Sequence, residues 1–228
     1  GNLMGIISIE FFAFTAAAIL IYYLFPVKKY QWTVLLAASY AYYILNCNKY
    51  ILYMLVTTVT TYFGARILER AAEKSKQFLL QNKESFTKES KKEFKAKTQR
   101  KKRLILAAVL VFNFGILAFL KYFGFCAESV HSLLGVFGIN YTEPNFSFIV
   151  PLGISFYTFQ SMGYVIDVYR GKVGAEKNFG KLALFVSFFP QIVEGPICRY
   201  EQTAMKLWNV ERIKYENLVL GLERFAYG

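Results

Sequence analysis

A block of 35 residues, 69–103, carries 13 lysines and arginines against 5 aspartates and glutamates, and it is wedged between two long apolar runs, 50–68 and 104–123. That juxtaposition constrains the fold more than any other feature of the chain. Each apolar run is about twenty residues long, the length that crosses a hydrocarbon core at 1.5 Å of rise per residue. The block holds an excess of +8 out of a formal net charge of +12. In a water-soluble protein with a pI near 9.5 such a block would point first to nucleic acid. Flanked by membrane-length apolar runs, the lysines instead follow the positive-inside rule for a cytoplasmic loop, and no nucleic-acid partner is expected.

Composition agrees with a lipid environment. Hydrophobic residues make up 55% of the 228 and aromatics 18%, and mean hydropathy is +0.32. Few soluble domains of this length reach such values. The expected partner is therefore the lipid bilayer, and the expected location the cell membrane, crossed several times.

Five spans are predicted. Residues 5–25 form the first, with Glu10 its one charge; they are too long for a typical signal-peptide core and lack a basic region before them. Pro26, Lys28 and Lys29 close that span, with Tyr30 and Trp32 as interfacial anchors. Residues 31–45 and 50–68 pair as a helical hairpin across the polar break 46–49, residues 104–123 make the fourth span, and residues 148–168 the fifth. Placing block 69–103 in the cytoplasm puts the N-terminus outside and Lys28, Lys29, Arg170 and Lys172 inside. Within the block Phe78, Phe86 and Phe94 recur every eight residues, which fits either an amphipathic helix on an anionic lipid surface or a solvated loop. Residues 124–147 read as an exoplasmic connection with one short surface helix.

Residues 182–193 are apolar but too few to cross, and Pro190 interrupts them before Glu194, Gly195 and Pro196. Backbone freed by proline cannot face lipid, so this segment is expected inside the protein, or lining a wet cavity, as a re-entrant or broken helix. From Met205 onward Tyr215, Leu218, Val219, Leu222 and Ala226 repeat at helical spacing, predicting an interfacial helix. That pattern runs on to Gly228, so further sequence is expected beyond it. The fold class is thus all-α, a polytopic transmembrane helical protein with a broken or re-entrant helix, in one membrane domain over residues 1–228.

Familiar catalytic constellations are missing from the motifs: there is no GxSxG, glycine-rich phosphate loop or HExxH. Cys47, Cys126 and Cys198 are scattered, odd in number and without a CxxC pair, so neither a disulfide framework nor a metal site is indicated. His131, the one histidine, lies in the exoplasmic connection with no acid or nucleophile at suggestive spacing, and is read as a surface or interfacial residue. The polar residues that need a reason at membrane depth are Ser155, Thr158, Gln160, Ser161, Glu194 and Arg199, since buried polar groups pair or line a pathway. Glu194 and Arg199 are candidates to pair with each other. Gly153, Ser155, Ser161 and Gly163 also suit close helix packing alone.

The strings Val150-Pro-Leu-Gly-Ile-Ser-Phe-Tyr-Thr-Phe-Gln160, Tyr164-Val-Ile-Asp-Val-Tyr-Arg-Gly171, Asn178-Phe, and Phe185-Val-Ser-Phe-Phe-Pro-Gln-Ile-Val-Glu-Gly-Pro-Ile-Cys-Arg199-Tyr resemble the membrane-bound O-acyltransferase family. The likeness is to the branch that O-acetylates alginate and peptidoglycan, with teichoic acid D-alanylation a more distant relation. The specific part covers about residues 150–200; upstream, Ser8-Ile9-Glu10-Phe11-Phe12 and Tyr22-Tyr23-Leu24-Phe25-Pro26 also agree. The resemblance implies transfer of an acyl group, acetyl by expectation, from a cytoplasmic thioester donor (acetyl-CoA or an acyl carrier protein) through a protein tunnel to a polysaccharide hydroxyl outside. It also leaves room for an exoplasmic acetyltransferase partner. The family's active histidine lies further downstream in a Trp-His context, so no catalytic residue is assigned in this chain, and His131 is not its equivalent. Gln160, Glu194 and Arg199 are expected to line or brace the tunnel, with Pro190 and Pro196 shaping the broken segment. A non-catalytic membrane scaffold or transporter-like partner subunit is the alternative reading.

Overall fold

The computed structural model describes residues 9–47, 51–82, 87–136, 153–194 and 199–208, with backbone alone at 47, 123–136, 192–194 and 205. Helices α1 (Ile9–Leu24), α2 (Gln31–Cys47), α3 (Ile51–Gln81), α4 (Lys88–Val136), α5 (Ile154–Arg170), α6 (Phe179–Ser187), α7 (Phe189–Glu194) and α8 (Tyr200–Trp208) follow in order, with a 3₁₀ turn at Lys28–Tyr30. Among the described residues there is no strand. The expected interfacial helix past Trp208, the reach of the first span before Ile9, and Phe86 lie outside the described residues.

Helices α3 and α4 are long and apolar enough to cross a membrane. Their surfaces are inverted relative to a soluble bundle. Leu52, Phe63, Leu104, Val111 and Phe119 are exposed, whereas Thr57, Thr58, Thr61 and Asn113 are buried. Lipid accepts the outward apolar side chains and offers the inward polar ones nothing, so the latter must find each other. Thr60 and Asn113 do so across α3 and α4, with Asn113 Nδ2 donating to Thr60 Oγ1 at 3.1 Å and to the Val109 carbonyl at 2.9 Å. Such a pair is worth about 0.6–2 kcal/mol between membrane helices.

Close approach of the two helices rests on Gly64. A Cβ placed there would stand 2.8 Å from Val109 Cγ2. Packing of small residues replaces the hydrophobic effect here, because lipid tails are as apolar as the side chains.

Block 69–103 is neither a single surface helix nor a plain solvated loop, the two forms expected for it. Helix α3 runs on to Gln81 and α4 begins at Lys88, so the block is a helical hairpin whose arms continue the two long helices. Its Lys, Glu, Gln and Ala content is strongly helix-forming. Phe78 and Phe94 stack across the arms with centroids 4.9 Å apart, meeting between helices and not along one. Glu93 pairs with Lys97 one turn on, which holds its carboxyl below the usual range.

The expected exoplasmic connection also changes. Helix α4 continues without a break to Val136 and carries His131 in its last turns, where nothing in Glu128-Ser-Val-His-Ser-Leu-Leu-Gly135 stops a helix. At 49 residues it is about 73 Å long, well beyond the roughly 40–45 Å of a whole bilayer.

Helix α5 ends in a Schellman cap. Gly171 adopts φ 74°, its N–H reaches the Val168 carbonyl, and the Lys172 N–H reaches that of Asp167. The chain then turns back through 172–178 to Asn178, whose Oδ1 accepts from the N–H groups of Gly180 and Lys181 and so starts α6. From Leu182 on, α6 is enclosed on all sides: Leu182 to Ser187 are six consecutive buried residues. This is the broken, protein-enclosed segment foreseen at 182–193, resolved as α6 and α7 with a break at Phe188.

Gly64→Val is expected to pry α3 from α4 and to lower stability by about 1–3 kcal/mol, read as a lower melting temperature in detergent. Val109→Ala in the same chain should return part of that loss; a single variant that melts like the parent would show that the contact does not hold the pair.

Candidate functional site

In an unbroken helix the Phe189 N–H would donate to the Phe185 carbonyl. Phe188, at φ −55° and ψ 106°, turns the chain out of the helix and separates the two. Each half then finds a side chain from a different helix. The Phe189 N–H donates to Ser39 Oγ of α2 at 3.3 Å, while Ser39 donates onward to the Leu35 carbonyl at 2.8 Å. The Phe185 carbonyl accepts from Gln160 Nε2 of α5 at 2.7 Å, and that nitrogen also lies 3.2 Å from Gln191 Oε1 in α7. Ser39, Gln160 and Phe185 are all buried. Pro190 is the second residue of α7, where a missing N–H leaves no helical bond unmade.

Aromatic packing fixes the same point. The Phe189 ring sits among Phe14, Tyr42 and Phe11, with centroids 5.4, 5.4 and 6.1 Å away. Helices α1, α2, α5, α6 and α7 therefore converge on one break.

A second polar cluster gathers near the end of α5 beside the basic hairpin. Glu69 Oε1 accepts from the Ala175 N–H at 2.8 Å while its other oxygen faces Arg66 at 3.2 Å. Tyr62 donates to the Lys177 carbonyl, Lys102 to that of Tyr169, and the Glu176 N–H to the Tyr164 hydroxyl. The Tyr200 hydroxyl donates to Glu176 Oε2 at 2.7 Å, docking α8 on this turn. Burial first, and then the Glu176 carboxylate, push the Tyr200 phenol up, so it remains a neutral donor at physiological pH. Trp208 at the far end of α8 lies under Lys181 Nζ, 5.1 Å from the ring centroid.

Of the residues expected at the site, Gln160 and Pro190 are brought together at the break. Arg199 is exposed just before α8, where its carbonyl accepts from the N–H groups of Gln202 and Thr203. Glu194 ends α7, but its side chain, Pro196 and any pairing of Glu194 with Arg199 lie outside the described residues. Thr158 and Ser161 are buried and Ser155 half-buried. Sequence reasoning missed Ser39, Glu69, Glu176 and Tyr200. Only Ser39, a hydroxyl within an apolar span, carried a local signal. Among the described residues no cluster of histidine, cysteine, aspartate or glutamate is placed to hold a metal ion. The arrangement braces backbone and positions walls.

An all-helical membrane protein with a broken, enclosed helix is the class that these features define. Comparison with known proteins gives it a kinship. The chain is 28% identical over 224 residues to the probable alginate O-acetylase AlgI of Azotobacter vinelandii, covering 97% of this chain and 39% of that protein. It is 32% identical over 132 residues to the probable alginate O-acetylase AlgI of Pseudomonas aeruginosa, covering 58% of this chain and 25% of the relative. It is 31% identical over 153 residues to the peptidoglycan O-acetyltransferase of Helicobacter pylori, covering 56% and 28%. No family model and no solved structure matches. The chain is thus similar to proteins named as alginate O-acetylases and a peptidoglycan O-acetyltransferase, and it spans about two-fifths or less of the length of these curated relatives.

Gln160→Leu strands the buried Phe185 carbonyl, and a loss of about 1–3 kcal/mol is expected in thermal unfolding in detergent; an unchanged melting temperature would mean that the carbonyl is satisfied otherwise. Tyr200→Phe should shift Trp208 emission as α8 loosens. Because the folded phenol is raised above its ordinary value near 10, the stability it adds is fully present below about pH 10 and fades only as pH climbs further. The difference between parent and variant is therefore expected to be flat from pH 6 to 9; a difference that changes across that range would assign the latch to another group.

Proposed function

We propose that this chain is the N-terminal part of a membrane-embedded O-acetyltransferase that carries an acetyl group from a cytoplasmic thioester, acetyl-CoA or an acyl carrier protein, to a hydroxyl of a cell-surface or extracellular polysaccharide. The observation that carries the reading is the alignment over nearly the whole chain with an alginate O-acetylase, joined by a peptidoglycan O-acetyltransferase. Those two relatives differ in acceptor, so the shared part of the inference is acetyl transfer, with alginate or peptidoglycan as acceptor; teichoic acid, receiving D-alanyl in place of acetyl, is the alternative. In the proposed topology the hairpin 69–103 is cytoplasmic and the N-terminus outside.

Acetyl transfer from a thioester needs three things. A base must take the proton of the attacking hydroxyl, the oxygen must reach the carbonyl carbon in line, and the thiolate must leave on the donor side. Bulk water must be kept out, because it competes as a nucleophile. In this reading the base comes from sequence beyond this chain, as the resemblance implies. The residues here supply the wall: the break between α6 and α7 lets a short helix enter the bundle without leaving bare amides that would draw water. Arg199, exposed where α8 begins, is proposed to stand at the cytoplasmic mouth and meet the anionic donor.

The test is acetyl transfer by the full-length protein in lipid nanodiscs, with labelled acetyl-CoA or acetyl carrier protein and a panel of the three glycans. Ester-linked label on one glycan is expected, and no transfer to any of them with either donor would overturn the reading. Arg199→Ala is expected to raise the KM for the donor about tenfold while leaving the fold intact; unchanged transfer with unchanged folding would remove Arg199 from the mechanism.

A further inference from the structure

The two arms of the basic hairpin enclose a groove of about 650 Å³ that neither the acetyl-transfer reading nor the helix packing uses. Lys76 from α3 and Lys91, Lys95 and Lys102 from α4 line it, together with Thr98 and Gln99. Among the described residues no carboxylate does. The hairpin has carboxylates to offer, but Glu73, Glu89 and Glu93 lie off the groove walls, Glu93 pairs with Lys97 elsewhere, and Glu69 is committed to Arg66 and the Ala175 N–H. Among the described residues, Lys76, Lys91 and Lys95 form no ion pair. Four ammonium groups thus share one concavity, floored by Ala72, Leu79 and Ala96, with no described carboxylate on its walls to relieve their mutual repulsion.

An anion is the partner that such a groove asks for, and its volume is in the range of small-molecule sites. Lipid headgroups are one source, a soluble molecule the other, and reach decides between them. From Lys102 to Lys91 is eleven residues of one helix, a rise of about 16 Å. Lys102 stands two residues from Leu104, where the apolar run begins. Headgroups occupy only about 5–8 Å beyond the hydrocarbon edge. Even with α4 tilted by 40°, Lys91 and Lys95 stand roughly 10–15 Å past that edge, outside the headgroup layer itself. Lipid would satisfy Lys102 and leave the outer lysines unmatched.

We propose that the groove binds a soluble polyphosphate, a molecule carrying two or more phosphates on a partly apolar body, as a nucleoside diphosphate does. Lysines act as point charges toward phosphate, and a spread of four along the groove matches several phosphate oxygens better than it matches one carboxylate. The apolar floor takes the uncharged body. At the inner end, Lys102 is held by the Tyr169 carbonyl at 3.2 Å and lies over the Tyr169 ring, and Gln99 is bonded to the Tyr169 hydroxyl, so that end of the groove is fixed to the end of α5. The site does not depend on acetyl transfer and stands whether or not that reading does.

The experiment uses the full-length protein in nanodiscs of zwitterionic lipid at about 0.15 M salt, with a fluorescent ADP analogue as probe and inorganic pyrophosphate as competitor. Saturable binding that pyrophosphate displaces is expected. The triple variant Lys76→Gln, Lys91→Gln, Lys95→Gln should weaken it at least tenfold. A control triple variant of equal charge change on the opposite side, Lys74→Gln, Lys97→Gln, Lys101→Gln, should weaken it less than threefold. Circular dichroism and melting of both variants report whether the hairpin still folds. Equal weakening in the two variants would reduce the effect to bulk charge and overturn the proposal, as would absence of saturable binding. Loss of probe binding when phosphatidylglycerol replaces part of the lipid, with the first triple variant no longer showing that loss, would assign the groove to lipid headgroups and overturn the soluble source.

Discussion

One separated pair of backbone groups organises this molecule. The Phe189 N–H and the Phe185 carbonyl belong together in a helix, and the turn at Phe188 parts them inside a bundle where no water waits to take either. An unmade bond of that kind costs several kcal/mol in an apolar medium, comparable to a large share of a protein's net stability. Ser39 and Gln160 answer the two halves separately, from α2 and α5. The break can therefore exist only while both helices stand in register beside it, and the positions of α2, α5, α6 and α7 become one condition instead of four.

The aromatic enclosure of Phe189 extends that condition to α1. On the opposite flank, the turn 171–178 ties α3, α5 and α8 through Glu69, Tyr164, Glu176 and Tyr200. Both devices immobilise irregular backbone with side chains drawn from distant sequence. Under the proposed acyl-transfer reading this is the useful property, because a thioester is protected from hydrolysis only by walls that do not admit water when they move.

Much of this was legible in the residues. Length and Pro190 point away from a crossing at 182–193 and toward a place inside the protein or along a wet cavity, and the structure has six consecutive buried residues there. The cost of a lone amide in lipid singled out Gln160, which does meet the broken segment. Its partner could not be read, since the acceptor is a backbone carbonyl 25 residues away and any residue supplies one. Ser39 and Phe189, 150 residues apart, leave still less trace. The hairpin is hidden for a different reason: the recurrence of Phe78, Phe86 and Phe94 fits a surface helix or a solvated loop, whereas an antiparallel turn brings Phe78 and Phe94 face to face. Spacing alone cannot tell those cases apart; only the site of the turn can.

Helix α4 is a single rod of 49 residues with its middle in the apolar run and both ends beyond it. Gly64 and the Thr60 and Asn113 pair clamp it near its midpoint to α3. A stiff rod gripped both at its waist and, through Gln99 and Lys102, at the end of α5 carries any sideways load on its lysine-bearing arm into α3 and α5 together.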